Sequence, residues 1–486
     1  MLNPGVVSWV HVGDLHITTA DQQNYQDLQT IIAHTDQYLK NGVNFAFISG
    51  DNANDDTASE YQLIKDAFAK LQAPYYFVPG DHDSKDGQAL YKQYLEAKPY
   101  YSFSTGGYHS AFLDMLDAGG NGSGGFGIGS AQVDWLKQDL ATAKSKDERS
   151  LLFGHTYDLS KLGSSGQEVQ QLIAQDGVIM LDAGHTHYND VANDGHTIYA
   201  TGRNTGQATE GPVGFVLVNV DNGVISWKFK QLGIWTFVMI TNPSDKVLII
   251  DPSQAVKGTV DVRAKVWDDK GVASATMQVD GGTAAPMQRI GSTQMWQASA
   301  DTSQLSDGDH KIKVNVQGLG GNTSVDEITF VVHKSGAYSV PQRQPGAVGN
   351  SVGTYTDKGL LGNHIAGGPG GKGAPGQSGA PGNGQQPGAA GSAPGGRGGR
   401  GPKGAGGPGG ADSAGPATVT AVNGNTLTLQ LANGTTQQVT LATGATIAKV
   451  VPGNSSDLKA GEKVTVTLMA NSDGSKSVSA LEIEPT

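Results

Sequence analysis

Cysteine is absent from this chain of 486 residues, and its absence restricts the possible chemistry. There can be no disulfide, thiolate metal site or cysteine nucleophile, so any metal site must use oxygen and nitrogen ligands. Charge is also scarce, with charged residues at 16% and a formal net charge of -12. Because an acidic chain offers no general surface for polyanions, we do not expect bulk nucleic-acid binding.

Long apolar runs are missing as well. No run approaches the roughly 18 residues of a membrane-spanning helix, so we expect no transmembrane segment. The first 12 residues lack the basic start and cleavage site of a signal peptide, and none is visible. Glycine, by contrast, is plentiful: the 70 glycines and 20 prolines indicate a substantial low-complexity segment.

Five short motifs, each beginning with glycine, follow apolar β-favouring runs in the N-terminal part of the chain. Helical patterns separate the early runs, which is typical of an α/β sheet covered on both faces. Ligands in such sheets gather at the carboxyl ends of the strands, so we expect the motifs to converge on one rim. The motifs are Gly13-Asp14-Leu15-His16, Gly50-Asp51-Asn52, Gly80-Asp81-His82-Asp83, Gly154-His155 and Gly184-His185-Thr186-His187.

Carboxylates and imidazoles at strand ends are suitable metal ligands. Two metals about 3.5 to 4 Å apart can clamp the attacking and leaving oxygens of a phosphoryl displacement. Any single motif is weak evidence, since a glycine followed by histidine is usually a turn. The alternative of five polar turns at a solvated sheet edge does not require Asp or His in all five places, so the set favours a metal centre.

In this order, the five motifs resemble those of the calcineurin-like metallophosphoesterase superfamily, in the branch with cyclic-nucleotide-phosphodiesterase-like and purple-acid-phosphatase-like enzymes. The resemblance covers about the first half of the chain. It implies a four-layer α/β/β/α sandwich and a dinuclear centre of Mn, Fe or Zn. By motif, one metal would be held by Asp14, His16 and His187, the other by Asp81, His155 and His185, with Asp51 bridging.

The implied activity is a metal-dependent hydrolysis of phosphomonoesters or phosphodiesters. A metal-bridging hydroxide would attack phosphorus in line. His82 would contact the substrate and protonate the leaving oxygen, and Asp83 would orient the His82 ring. Arg203 could bind a phosphate bidentately or could simply pair on a loop, and the sequence leaves both open.

Two positions depart from the family pattern. Asp81 stands where the family usually has Asn, which adds a negative charge to the centre. Asn54 stands where the second motif usually has its final Asp. Since that carboxylate has mainly a supporting role in the family, we expect the site to adjust to Asn54 and the activity to be kept. The glycine-rich loop from Gly119 to Gly129 is long enough to border the site.

The rest of the chain divides into further regions. We predict a phosphoesterase domain over 1–235, an Ig-like β-sandwich over 236–334, a flexible Gly/Pro-rich linker over 335–415 and a small all-β barrel over 416–486. Such accessory modules suggest a secreted or cell-surface bacterial protein, with contact to the surface or matrix through the β modules. The competing hypothesis is therefore a surface- or matrix-binding protein whose phosphoesterase-like domain is catalytically weak.

Overall fold

The structure is a computed structural model that divides into two compact units, Met1–Ser378 and Gly379–Thr486. Within the described part of the chain, every helix is too short or too polar to cross a bilayer. The described residues are 5–39, 41–117, 125–187, 189–203, 205–206, 213–233, 235–335, 338–340, 354–355, 412–423, 426–431, 436–449, 463–470 and 476–483.

Two sheets form the centre of the N-terminal region. The first has the order β11 (Val224–Gln231), β10 (Gly214–Asp221), β1 (Val6–Val12), β2 (Phe45–Ile48) and β3 (Tyr75–Phe77). The second has the order β20 (Thr354–Tyr355), β8 (Asp190–Asn193), β9 (Ile198–Thr201), β7 (Val178–Ala183), β6 (Arg149–Phe153), β5 (Tyr108–Phe112) and β4 (Tyr101–Thr105). Strands β1, β2 and β3 are parallel, as are β5, β6, β7 and β9.

Alternation along the strands assigns side chains to three cores. On β1, Val7 and Trp9 pack between the two sheets, whereas Val10 and Val12 pack on the outer face of the first sheet. That outer face is covered by α1 (Gln23–His34), α2 (Ala58–Phe68) and α3 (Ala89–Tyr94). The outer face of the second sheet is covered by α4 (Ser130–Ser145) and α5 (Ser164–Gln175). The predicted four-layer α/β/β/α sandwich is confirmed.

A β-sandwich follows the first domain. One sheet has the order β12 (Phe237–Asn242), β13 (Thr259–Trp267), β17 (Met295–Asp301) and β16 (Gln288–Arg289). The other has the order β15 (Ala285–Pro286), β14 (Val272–Val279), β18 (Gly308–Gly318) and β19 (Thr323–Val332). Side chains of both sheets, among them Val262, Ile312 and Phe330, form one core. This is the predicted Ig-like architecture.

The C-terminal unit contains a closed barrel, which agrees with the predicted small β-barrel. Its order is β21 (Asp412–Asn423), β22 (Thr426–Leu431), β23 (Thr436–Lys449), β25 (Lys476–Ile483) and β24 (Lys463–Ala470). Strands β20 and the start of β21 lie within the segment predicted as a linker, most of which is outside the described residues. The three boundaries between the four predicted regions stay predictions.

Candidate metal centre

All seven predicted metal ligands lie at the carboxyl ends of strands of the two central sheets. They come from the first sheet after β1, β2 and β3, and from the second sheet after β6 and β7. The loops are tied together, since the His16 N–H donates to the Asp51 carbonyl at 2.8 Å and the His185 N–H to Asp14 Oδ1 at 2.9 Å. The rim predicted from the sequence therefore joins both sheets.

The seven side chains form two sets that share Asp51. In each set the candidate ligand atoms lie within 4.8 Å of one another. The Asp51 carboxylate faces both ways: Oδ2 is 3.6 Å from His16 Nε2, and Oδ1 is 3.4 Å from His155 Nε2. The first set is Asp14, His16, Asp51 and His187, and the second is Asp51, Asp81, His155 and His185.

Within each set the candidate ligand atoms converge closely. In the first set, His16 Nε2 and His187 Nε2 are 3.2 Å apart. In the second, Asp81 Oδ1 lies 3.1 Å from His155 Nε2 and 3.2 Å from His185 Nδ1. Such convergence of carboxylates and imidazoles on one point is what a bound cation requires.

Backbone conformation is unusual at these ligands. Five of the ten non-glycine residues with positive φ in the described chain are predicted ligands. This conformation is uncommon for residues with a side chain, although Asp and His tolerate it better than most, and it clusters at functional sites. The chain thus turns sharply after β1, β2 and β7 to aim these side chains inward. The five are Asp14, His16, Asp51, His185 and His187.

Glycine is needed in two of the motifs because the backbone approaches a ligand closely. Gly50 has φ +95°, and a Cβ there would lie 2.5 Å from His155 Nδ1. At Gly184 a Cβ would lie 2.7 Å from Asp14 Oδ2. Both distances are too short for a side chain. The glycine that leads each of these motifs therefore serves the ligand of another motif.

Hydrogen bonds outside the two sets orient the ligands. His155 Nδ1 lies 2.7 Å from the Ser49 carbonyl, which can only accept, so this nitrogen carries the proton and Nε2 points into the second set. By contrast, Asp14 Oδ2 and His16 Nδ1 are buried with no hydrogen-bond partner among the described residues. An orphaned buried carboxylate oxygen fits a cation that is bound when the protein works.

Electrostatics distinguish the two sets. Burial lowers the pKa of His16 to about 3 and the pKa of His187 to about 4. Burial also raises the pKa of Asp14. For His155, burial disfavours the charged ring, but the Asp51, Asp81 and Asp14 carboxylates outweigh it and raise the pKa well above 6.5. The imidazoles of the first set thus favour the neutral form, as does His185, whose pKa burial lowers, whereas His155 holds a proton.

His82 and Asp83 are not paired in the way that the sequence predicts. His82 Nδ1 lies 2.7 Å from the Asn54 carbonyl oxygen, which takes the place expected for the Asp83 carboxylate. Asp83 instead accepts from the N–H groups of Ala53 and Gly80 and from the Tyr61 hydroxyl. It is fully buried, and burial raises its pKa to about 6. Asp83 therefore holds the loops of the second and third motifs together.

Arg203 lies under the rim. It is 1% exposed, and its guanidinium carbon is 4.7 Å from the centre of the Phe229 ring. Its main-chain N–H donates to Asn189 Oδ1 at 2.8 Å. The structure buries the side chain against the sheet beside Phe229. A contact between Arg203 and phosphate stays a prediction.

Sequence reasoning missed Lys161 and Phe126. Lys161 Nζ lies 2.5 Å from His185 Nε2 and 5.0 Å from the centre of the Phe126 ring. Phe126 is also 5.0 Å from the His185 ring. Phe126 belongs to the glycine-rich loop that was predicted to border the site, which was the only signal available for it. Lys161 follows the fourth motif by six positions, and nothing in its local sequence marks it.

Comparison with protein families agrees with this geometry. Residues 8–189 match the family described as calcineurin-like phosphoesterase, and residues 237–314 match the bacterial Ig domain. A probable glycerophosphodiester phosphodiesterase of Arcobacter nitrofigilis is 27% identical over 202 residues, which is 37% of this chain and 71% of the relative. These findings confirm the predicted resemblance and the predicted class of enzyme, a hydrolase of phosphoric esters.

Two solved structures show limited similarity. GAP50 of the Plasmodium inner membrane complex is 16% identical, with a TM-score of 0.35 over 46% of this chain and 84% of its own. A protein of Thermus thermophilus is 12% identical, with a TM-score of 0.32 over 46% of this chain and 99% of its own. TM-scores this low support no conclusion about function.

Proposed function

Since residues 8–189 form a calcineurin-like phosphoesterase domain and residues 237–314 a bacterial Ig domain, we propose that the chain hydrolyses phosphomonoesters or phosphodiesters with a dinuclear metal centre. One metal would be held by Asp14, His16 and His187, and the other by Asp81, His155 and His185. The observation that carries this proposal is Asp51, whose two carboxylate oxygens face the two sets separately. A shared carboxylate is the arrangement that a two-metal site needs.

The ligand set also fits the metals proposed. Three carboxylates and four imidazoles provide oxygen and nitrogen donors of the kind that Mn, Fe and Zn accept. When bound, two such ions supply a hydroxide for in-line attack on phosphorus and neutralise charge on the phosphoryl oxygens. The third carboxylate, Asp81, adds negative charge to the second set.

His82 is the proposed general acid. Because the Asn54 carbonyl can only accept, His82 Nδ1 carries a proton, which leaves Nε2 for the leaving oxygen. To act as the acid, Nε2 must carry the second proton of an imidazolium ring, and it passes that proton to the leaving oxygen. The main-chain N–H of His82 donates to Asp51 Oδ1 at 2.9 Å, which fixes the position of His82 relative to the shared ligand. Its ring centre is 4.6 Å from that of His16. Asp83 acts indirectly: it accepts hydrogen bonds from the main-chain N–H groups of Asn52, Ala53 and Gly80 and so positions the loops that carry the ligands.

The Arcobacter relative is named for the hydrolysis of glycerophosphodiesters. We therefore infer that diesters with a small polar alcohol are the first substrates to test, ahead of monoesters. A location outside the cell and a contact role for the Ig domain belong to the same proposal, because bacterial Ig domains commonly occur on exported proteins. Fractionation of producing cells tests the location, and finding the chain only in the cytoplasm would contradict it.

The decisive experiment measures bound metal and ester hydrolysis on the same preparation of the full chain. Loaded with Mn, Fe or Zn, the wild type should bind two ions and hydrolyse glycerophosphodiesters or aryl diesters. Asp51→Ala should reduce kcat/KM by at least about a thousandfold, since it removes the ligand that both sets share. A wild type that binds two ions yet cleaves no mono- or diester would instead favour the catalytically weak binding protein.

A further inference from the structure

Lys161 is a cation at the edge of the second ligand set. It lies in the short 3₁₀ helix Leu159–Leu162, between the fourth motif and α5. Asp158 caps that helix, since it accepts from the Ser160 N–H at 3.2 Å and from the Ser160 hydroxyl at 2.6 Å. The backbone of Lys161 therefore lies in an ordered turn.

Aromatic packing fixes the Lys161 side chain from the other side. Its Nζ lies 5.0 Å from the Phe126 ring centre, within the range of a cation–π contact. Phe126 is itself buried, at 4% exposed, and stacks parallel to His155 with ring centres 6.1 Å apart. Phe126 thus contacts the two imidazoles of the second set and the lysine together. A lysine packed in this way belongs to the site and is not a freely solvated surface charge.

Metal ligation would change the partner of Lys161. His185 turns Nδ1 toward Asp81 and Nε2 toward Lys161. If Nδ1 binds a metal, the ring proton resides on Nε2, and Nε2–H and the ammonium are both donors. The ammonium then needs another acceptor nearby, and a phosphoryl oxygen is one.

Position favours the same acceptor. The second set is open where Asp81 and His185 are exposed, with side chains 34% and 25% accessible. The three carboxylates of the two sets reduce the positive charge that two bound ions would present to a phosphate, and a cation at this edge adds to that charge. The neighbouring Lys85 is directed elsewhere, since its Nζ donates to the Asn54 carbonyl at 2.8 Å and lies 3.5 Å from Asp55.

We propose that Lys161 binds the anionic phosphoryl group of the substrate at the second ligand set and so sets the affinity for phosphate esters. This inference rests on the proposed function. Lys161 acts on binding and not on proton transfer, which remains with His82. Its loss should therefore raise KM and leave kcat within a few-fold.

The test uses inorganic phosphate as the probe on the full, Mn-loaded chain. Calorimetry should show that Lys161→Ala weakens phosphate binding by roughly tenfold, as expected for one charge-assisted hydrogen bond, and Lys161→Arg by less. Metal content should stay at two ions in both variants. Lys144→Ala is the matched control, because Lys144 lies at the end of α4 and bonds Gln175 and Asp176, far in the fold from the ligands.

Three outcomes would overturn the inference. Phosphate affinity unchanged in Lys161→Ala would show that the ammonium does not contact the anion. A fall in metal content would show that Lys161 only supports His185. No phosphate binding by the Mn-loaded wild type would remove the anion site altogether. The proposed function fails separately, if the wild type binds phosphate with the predicted Lys161 dependence but hydrolyses no ester.

Discussion

The two ligand sets are built differently although they share Asp51. In the first, Asp14 is fully buried, and Asp14, His16 and His187 all have positive φ. In the second, the Asp81 side chain is 34% exposed and has an ordinary helical backbone, with φ -68°. His187 is 21% exposed, and His185 of the second set also has positive φ, so the sets differ chiefly at their carboxylates: Asp14 is enclosed, whereas Asp81 opens toward solvent.

Charge follows the same division. Burial keeps the imidazoles of His16 and His187 neutral, with pKa values lowered to about 3 and 4. In the second set the carboxylates overcome burial and raise the pKa of His155. The imidazoles of the first set bind a cation without first losing protons, so only Asp14, whose pKa burial raises, competes there. In the second set His155 must release a proton. We therefore expect the first metal to be the permanent one and the second to exchange.

Removing one carboxylate at a time gives the largest expected effects. Asp51→Ala should lose both ions, because both sets use that carboxylate. Asp81→Ala should weaken binding of the second ion only, by at least about a hundredfold. Even residues that merely hydrogen-bond to a metal ligand contribute roughly ten- to a hundredfold to metal affinity. Elemental analysis and competition with a metal-binding dye measure both quantities.

The matched control for these variants is Asp66→Ala, an exposed carboxylate on α2 that accepts a hydrogen bond from the Gln62 side chain one turn earlier. It should keep two ions. If Asp81→Ala released both ions together, or kept both at wild-type affinity, the division into an enclosed and an exchangeable set would be wrong. Melting temperatures of the metal-free variants would show whether unfolding explains the loss.

Substitution of His82 separates chemistry from metal binding. His82→Ala should keep both ions, because the contact of this residue with Asp51 is made by its main-chain N–H, which survives the change. Turnover should fall by roughly a hundred- to ten-thousandfold, which is the usual contribution of a general acid. Steady-state kinetics on a diester with a poor leaving group, together with metal analysis, measure both effects.

A leaving group that needs no proton provides the control for His82. With an aryl ester of low leaving-group pKa, the loss in His82→Ala should be much smaller. Equal losses for both esters would remove His82 as the acid. Loss of metal from this variant would instead show that His82 supports the first set, whose His16 it contacts.

The sequence carried much of the fold and the ligand positions. Glycine-led motifs after apolar runs predicted that Asp14, Asp51 and His155 would meet at one rim, because strands of buried sheets end together. The resemblance to the metallophosphoesterase family implied their division into two sets. The Ig-like strands and the barrel were recognisable from period-two alternation and turns.

Other features depended on contacts between distant segments. The carbonyl of Asn54 is a main-chain group, and no side-chain pattern indicates that it would hold the His82 ring. Lys161 and Phe126 meet His185 only because two loops fold over the same rim. The burial of Arg203 against Phe229 likewise follows from packing and not from its neighbours in sequence.

The smallest expected effect is a difference between the two metals in how their affinity depends on pH. As pH falls below the raised pKa of His155, a proton competes with the second metal, so its affinity should drop by up to about tenfold per pH unit. The first set should hold its ion to lower pH, because the pKa of His187 is lowered to about 4 and the competing proton there is that of Asp14, whose pKa burial raises above 3.8. Equilibrium dialysis from about pH 8 to about pH 5 should therefore show two ions giving way to one.

The raised pKa of His155 also predicts how the stability of the metal-free protein depends on pH. The pKa of His155 is raised above its ordinary 6.5, so the charged ring stabilises the fold below that pH, and the contribution is lost as pH rises through the raised pKa. Asp81→Asn removes one carboxylate that holds this proton, so it should weaken both pH dependences. If both ions left together in the wild type, or Asp81→Asn changed neither profile, the proton on His155 would not be what separates the sets.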